Sequence, residues 1–278
     1  MKNEACETIE YRGFNINIYQ DEMAEDPRDW DNIGQMVCKH RDYYLGDPVD
    51  GRDARKDGRE KYPRDAEETV EIMLAAATNE NKASSIREAW ESGSGNSKKF
   101  KGFVEAGLYI CGHLLPVIFP LYLLDHSGLW MKAGSNMDLS CSRRNAFGVD
   151  PGSWDTSMVG FIFCTWEDVK REYGDKPDKE GVEPVDRALN YLQGEVEVYS
   201  QYLEGSVYWY QIEPKDGNKV DCDDSCGGFY GYDWKKNGLL ESAENAIDCA
   251  IQAYRESARK MHDEKLETNK FLRECWAD

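Results

Sequence analysis

The sequence predicts an α+β fold in which a mainly antiparallel sheet is packed by helices. Short segments with alternating or continuous apolar residues, typical of strands, lie before residue 40, between residues 114 and 164, and near residue 210. Longer segments, such as 184–203, instead repeat apolar residues every three or four positions, which is the period of a helix with one buried face. Strands and helices that are segregated along the chain favour this class over an alternating βαβ arrangement.

The first strands are predicted from alternation and from turn residues. Phe14, Ile16 and Ile18 lie two residues apart, so they share one face of a strand. A polar loop that contains Pro27 leads to a second short strand at 35–39. The chain therefore enters a sheet twice within its first forty residues.

Residues 48–103 are predicted to form a helical insertion. The first part of this segment is charged and contains prolines and glycines that are typical of surface loops. Asp65 can cap a following helix, in which Val70 and Leu74 have helical spacing. The Ser/Gly-rich run 92–97 is typical of a flexible linker.

This insertion sets the predicted domain organisation. We expect one α+β domain made of residues 1–47 and 104–278, interrupted by the insertion at 48–103. Because the insertion has its own apolar stripe and linker-like ends, its removal is expected to leave a folded remainder.

The middle of the chain supplies the most apolar strands. Residues 114–124 contain Pro116 and Pro120, which argue against a helix interior and favour a buried, irregular strand. A turn at 125–128 leads to a further strand, and the continuous apolar run 158–164 has strand length.

Helix signals dominate the last third. Thr165 can cap a short helix with Asp168 at its third position, and Pro184 suits the first turn of a helix of about twenty residues. A strand at 207–212 is followed by an Asp-Gly pair that predicts a hairpin turn into 219–221. The last helix is expected to open at Asn237 or Gly238.

The charge pattern bears on partners. The formal net charge is −19, and the acidic excess lies in residues 1–50 and 151–250. Such a surface repels nucleic acid, so we expect no direct nucleic-acid partner. It can attract a basic protein groove instead. The candidate partner-binding residues form an acidic cluster near the N-terminus: Asp21, Glu22, Glu25, Asp26, Asp29 and Asp31. Plain solubility is the alternative explanation of the charge.

Composition also indicates the cellular setting. The longest apolar stretch falls short of the ~20 residues that a membrane helix needs, and the first residues lack a signal-peptide core, so we expect a cytoplasmic protein without membrane contact. Nine scattered cysteines suit reduced thiols better than a disulfide framework. The sequence does not indicate an oligomeric state.

Five strings together resemble an uncharacterised family of proteins encoded by bacteriophages and prophages. The first residues of these strings are Asp29-Trp30-Asp31-Asn32, Leu45-Gly46-Asp47, Leu121-Tyr122-Leu123-Leu124-Asp125, Trp154-Asp155-Thr156 and Cys226-Gly227-Gly228. The resemblance covers roughly residues 9–47 and 114–233. It implies a viral or mobile-element origin and brings no assigned active residues.

One set of residues carries a catalytic alternative. Cys226 precedes two glycines and can act as a nucleophile if His126 serves as its base, with Asp125 or Asp155 orienting the imidazole ring. Aspartates at turns can alternatively meet in a cleft and bind magnesium for phosphoryl transfer. These residues define a possible small hydrolase or metal-dependent nuclease. Structural roles in turns and core are the competing explanation.

No cofactor or metal is predicted. Cys222 and Cys226 beside several aspartates lack the paired ligand spacing of a zinc site, and no phosphate-binding or dinucleotide fingerprint is present in the sequence. The leading hypothesis is therefore a non-catalytic phage accessory protein. It would bind and inhibit a basic, nucleic-acid-handling host defence protein through its acidic surface.

Overall fold

The computed structural model describes residues 4–49, 62–77, 84, 88, 103–134, 147, 149 and 154–275. The chain forms two compact units: unit 1 consists of Met1–Glu25 and Gly205–Asp278, and unit 2 consists of Asp26–Glu204. The described residues form five α-helices and eight strands in two antiparallel sheets, which confirms the α+β class. The division differs from the single domain at 1–47 and 104–278 that the sequence predicts.

The strands are β1 (Glu7–Tyr11), β2 (Phe14–Gln20), β3 (Gln35–Cys38), β4 (Val117–Asp125), β5 (Leu129–Ala133), β6 (Thr156–Cys164), β7 (Val207–Pro214) and β8 (Ser225–Tyr230). The helices are α1 (Ala66–Ala77), α2 (Phe103–Leu114), α3 (Trp166–Tyr173), α4 (Pro184–Glu204) and α5 (Leu239–Cys275). A short 3-10 helix spans Pro27–Asp29.

Unit 1 contains sheet 1, with strand order β1-β2-β7-β8. Arg12 and Gly13 have φ of 47° and 86°. Positive φ at both central residues is typical of the tight turn that joins two hairpin strands, here β1 and β2. Phe14, Ile16 and Ile18 are fully buried on one face, as the alternation predicts, and the first turns of α5 pack in the same core.

Unit 2 contains sheet 2, with strand order β3-β6-β4-β5. One face packs against α3 and α4. On the other face, Val70, Met73 and Leu74 of α1 share a core with residues from α2, β3, β4 and β6. Helix α1 lies within the predicted insertion at 48–103, yet it completes one side of this sheet. Most of the rest of 48–103 lies outside the described residues.

Several local predictions are confirmed. The Asp65 carboxylate accepts a hydrogen bond from the N–H of Glu68 near the start of α1, and Thr165 with Asp168 forms a reciprocal capping box on α3. The apolar segment at 114–124 becomes β4, and a register shift between Leu121 and Tyr122 accounts for its irregularity.

Two elements were not predicted. Helix α2 and strand β8 have no counterpart among the elements that the sequence predicts. The hairpin strand predicted at 219–221 is absent from the described structure of unit 1. Strand β7 pairs instead with β8, which lies further along the chain. The N–H of Ile212 donates to the carbonyl of Asp224, and β8 follows directly.

Helix α5 extends well past sheet 1. Its side chains from 252 to 272 are exposed, including Tyr254, Met261 and Leu272. None of the helices in the described part of the chain is long and apolar enough to cross a membrane.

Candidate functional site

A buried charged network lies at the start of unit 2. The Arg28 guanidinium donates two hydrogen bonds to Asp47, of 2.7 and 3.0 Å, and one of 2.8 Å to Glu195. It also donates to the carbonyl of Gly34 at 2.6 Å. The side chains of Arg28 and Glu195 are only 3% and 5% exposed, so both charges are held away from water.

The partners of this cluster are also satisfied. Glu195 accepts hydrogen bonds from the N–H groups of Ile33 and Gly34, each at 3.0 Å, and Asp47 accepts one from Met36 at 2.7 Å. Burial alone would lower the pKa of Arg28, but the hydrogen bonds and charges of Asp47 and Glu195 raise it. The network therefore keeps Arg28 charged and fastens the loop after Pro27 to α4.

Residues 29–32 and 45–47 have structural roles beside this network. Asn32 donates to the carbonyls of Pro27 and Trp30, which closes the loop. Gly46 has a φ of 72°, and a Cβ at this position would lie 2.5 Å from the carbonyl oxygen of Met36. Only glycine fits this close approach, which places the next residue beside Arg28.

Sequence reasoning missed Glu195, although a signal was present. Leu192, Val196 and Tyr199 form the buried stripe of α4, and Glu195 lies on the same side of the helix. A lone carboxylate on an apolar stripe predicts a buried partner, because a buried charge requires one. Arg28 gave no comparable signal, since it stands in a polar, acidic loop.

A second constellation lies at the turn between β4 and β5. The His126 Nδ1 atom is 2.8 Å from Asp155 Oδ2, so the two form the imidazole–carboxylate pair of the catalytic alternative. Asp125 accepts a hydrogen bond of 3.1 Å from the Tyr43 hydroxyl instead. The His126 side chain is 71% exposed, so solvent screens the pair.

The His126–Asp155 pair lies on the wall of an open cavity of about 650 Å³. Leu124, Trp130 and Met131 supply apolar surface from β4 and β5. Lys132 and Ser200 add polar groups. Cavities of this size with apolar walls and a few polar groups are typical of small-molecule sites.

The fourth residue of the catalytic alternative belongs to the other unit. Cys226 lies on β8 of unit 1 and is exposed, whereas Asp125, His126 and Asp155 lie in unit 2. Its thiol contacts the carbonyl of Gly227 at 3.8 Å. Unit 2 thus brings together an imidazole and carboxylates, and the described residues that line the cavity include no cysteine.

The six predicted partner-binding residues are divided between the units. Asp21, Glu22 and Glu25 belong to unit 1, and Asp26, Asp29 and Asp31 belong to unit 2. Asp21 and Asp26 are partly buried and accept hydrogen bonds from the N–H groups two residues later. Burial raises the pKa of Asp26. The other four carboxylates are exposed.

Unit 1 brings two acidic segments together at one edge of sheet 1. The Asp21 Oδ2 atom lies 3.7 Å from the position that a Cβ would take at Gly227 on β8. Asp221, Asp223 and Asp224 are exposed and precede β8 directly. We call these four aspartates and β8 the acidic edge. The strand is the last in its sheet, and its first four residues, which include Gly227 and Gly228, are exposed.

In the described part of the chain, no three His, Cys, Asp or Glu side chains are grouped so that they could hold a metal ion. No known protein family, characterised protein or solved structure matches the chain. The function is therefore inferred from the residues themselves.

Proposed function

We propose that this protein binds a basic, nucleic-acid-handling host protein and inhibits it, as a phage accessory protein directed against host defence. The observation that carries the proposal is the acidic edge, where Asp21 lies beside β8 and three further aspartates precede that strand. The net charge of −19 also supports it, and the phage origin is part of the proposal.

The acidic edge combines two means of recognition. An edge strand offers unpaired N–H and C=O groups to an extended segment of a partner. Carboxylates beside it favour a partner rich in Lys and Arg and accelerate association through long-range attraction. A nucleic-acid-binding groove has this chemistry, because it is built to neutralise phosphates.

Neutralising the acidic edge is expected to slow association with such a partner by about tenfold. The variant is Asp21→Asn, Asp223→Asn and Asp224→Asn, because asparagine keeps an oxygen that accepts the local hydrogen bonds. The measurement is the association rate with host proteins retained on the immobilised chain, at several salt concentrations. Binding should weaken with salt, since exposed charges are screened over roughly 8 Å at physiological ionic strength.

A matched control removes three charges elsewhere: Asp263→Asn, Glu264→Gln and Glu267→Gln on the exposed part of α5. This control should bind as the parent chain does. Heparin or duplex DNA should displace the partner if its nucleic-acid groove is occupied. Binding that ignores salt and polyanions would contradict the proposal, as would equal losses in both variants.

A small hydrolase is the second candidate function, and the hydrogen bond between His126 and Asp155 favours it. Asp155 can hold the imidazole in the orientation of a general base at the cavity wall. Cys226 belongs to unit 1, and within unit 2 a water molecule can serve as the nucleophile for this pair.

Thiol labelling tests whether Cys226 and His126 act together. At pH 7.5, iodoacetamide should modify the exposed Cys6, Cys226 and Cys249 and spare Cys111 and Cys164, since burial raises the pKa of both buried thiols to about 12. We expect His126→Ala to leave the labelling rate of Cys226 unchanged, as peptide mass spectrometry can show. A rate that falls in His126→Ala would instead establish the cysteine mechanism.

A further inference from the structure

The cavity at the edge of sheet 2 has no part in the binding proposed for the acidic edge. It opens at β5, the last strand of the sheet, and all of its described lining belongs to unit 2. A second cavity of about 370 Å³ shares Met131, Lys132 and Ser200 with it. These three residues therefore lie at the junction of an elongated groove between β5 and α4.

Apolar side chains form most of the larger cavity. Trp130, Leu124 and Phe147 offer flat or branched surface to a ligand body. The turn before β5 holds the tryptophan in place. A Cβ at Gly128 would lie 2.8 Å from Cη2 of the Trp130 ring, so the absence of a side chain lets the indole lie across the turn.

Two hydrogen-bond donors lie at the junction. Ser200 Oγ accepts a hydrogen bond of 2.9 Å from the N–H of Met131, which fixes the serine side chain and leaves its hydroxyl hydrogen to donate. Lys132 supplies an ammonium group. The acidic groups nearby are Asp155, which is hydrogen-bonded to His126, and Glu197 on the wall of the smaller cavity.

We propose that this groove binds an elongated apolar or aromatic molecule that carries one anionic head group. The apolar body lies against Trp130 in the larger cavity, and the carboxylate, sulfonate or phosphate head lies at the junction with Lys132 and Ser200. The junction favours an anion because, among the described residues, no carboxylate is paired with Lys132 or Ser200, and Asp155 is hydrogen-bonded to His126.

A matched pair of fluorescent probes tests this proposal. Anilinonaphthalene sulfonate has an aromatic body and an anionic group, and N-phenyl-1-naphthylamine is the same body without the charge. We expect the sulfonate to bind the folded chain at a single site, about tenfold more tightly than the neutral probe, because a hydrogen bond to a charged group is worth that much.

Lys132→Met should abolish the tighter binding of the sulfonate, since methionine keeps an apolar chain without the charge. The same variant should leave the affinity for the neutral probe unchanged. Ser200→Ala should weaken the sulfonate alone. Lys179→Met, at an exposed position of unit 2, is the control and should change nothing. In NMR spectra, the amide chemical shifts that change on binding of the sulfonate should belong to residues 124–132 and to Ser200. Equal affinities for the two probes, an unchanged Lys132→Met variant, or shifts centred elsewhere would each overturn the proposal.

Discussion

Replacing Arg28 by alanine is expected to lower the free energy of unfolding by about 3–5 kcal/mol. The substitution leaves Glu195 buried without its cation and removes both hydrogen bonds to Asp47. The loop after Pro27 then loses its attachment to α4. Urea unfolding followed by circular dichroism measures the change, and faster hydrogen exchange at Ile33 and Gly34 would locate it in unit 2.

Two further variants isolate the buried network. Arg28→Lys keeps the charge but cannot donate to Asp47 and Glu195 with the same planar fork, so most of the loss should remain. Arg171→Ala removes a partly exposed ion pair with Asp168 and should cost about 1 kcal/mol or less. If Arg28→Ala proves as mild as Arg171→Ala, the network does not stabilise the loop.

Much of the fold could be predicted because its signals are local. Alternation placed Phe14, Ile16 and Ile18 on a buried face, and the capping pair Thr165 and Asp168 marked the start of α3. These patterns report the neighbours of a residue within a turn or a strand. They hold no information on which sheet a strand joins.

The sequence does not predict the division into two units, because local patterns do not show which strands pair with one another. β2 pairs with β7, almost two hundred residues later, whereas β3 joins β6 and belongs to the other sheet. The chain passes from one unit to the other at Glu25 and Asp26, within an acidic loop that has no linker-like composition. Long-range pairing of this kind leaves no periodic trace in the sequence.

The candidate sites show the same limit. The turn at 125–128 was predicted, and His126 was singled out, but its contact with Asp155 depends on the pairing of β4 with β6. β8 carries no clear strand signal, because Gly227 and Gly228 are typical of turns. Its backbone nevertheless pairs with β7, and the strand places Cys226 opposite Tyr210. The acidic edge follows from that pairing.

Removing residues 48–103 is expected to abolish cooperative unfolding of unit 2, which reverses the prediction made from the sequence alone. Met73 is fully buried, and Val70 and Leu74 are 1% and 2% exposed. They cover one face of sheet 2, together with α2. Deletion would expose Phe161 and Phe163, whose burial this core provides.

A point variant gives the same test in graded form. Met73→Ala should lower the free energy of unfolding by about 2–5 kcal/mol, because it opens a cavity between α1 and the sheet. Glu67→Ala, on the exposed side of α1, should change it by about 0.5 kcal/mol or less. Hydrogen exchange at β3 and β6 should accelerate in Met73→Ala, with the amides of sheet 1 as the internal reference. A deletion variant that keeps a sharp unfolding transition and slow exchange in β6 would show that sheet 2 folds without this helix.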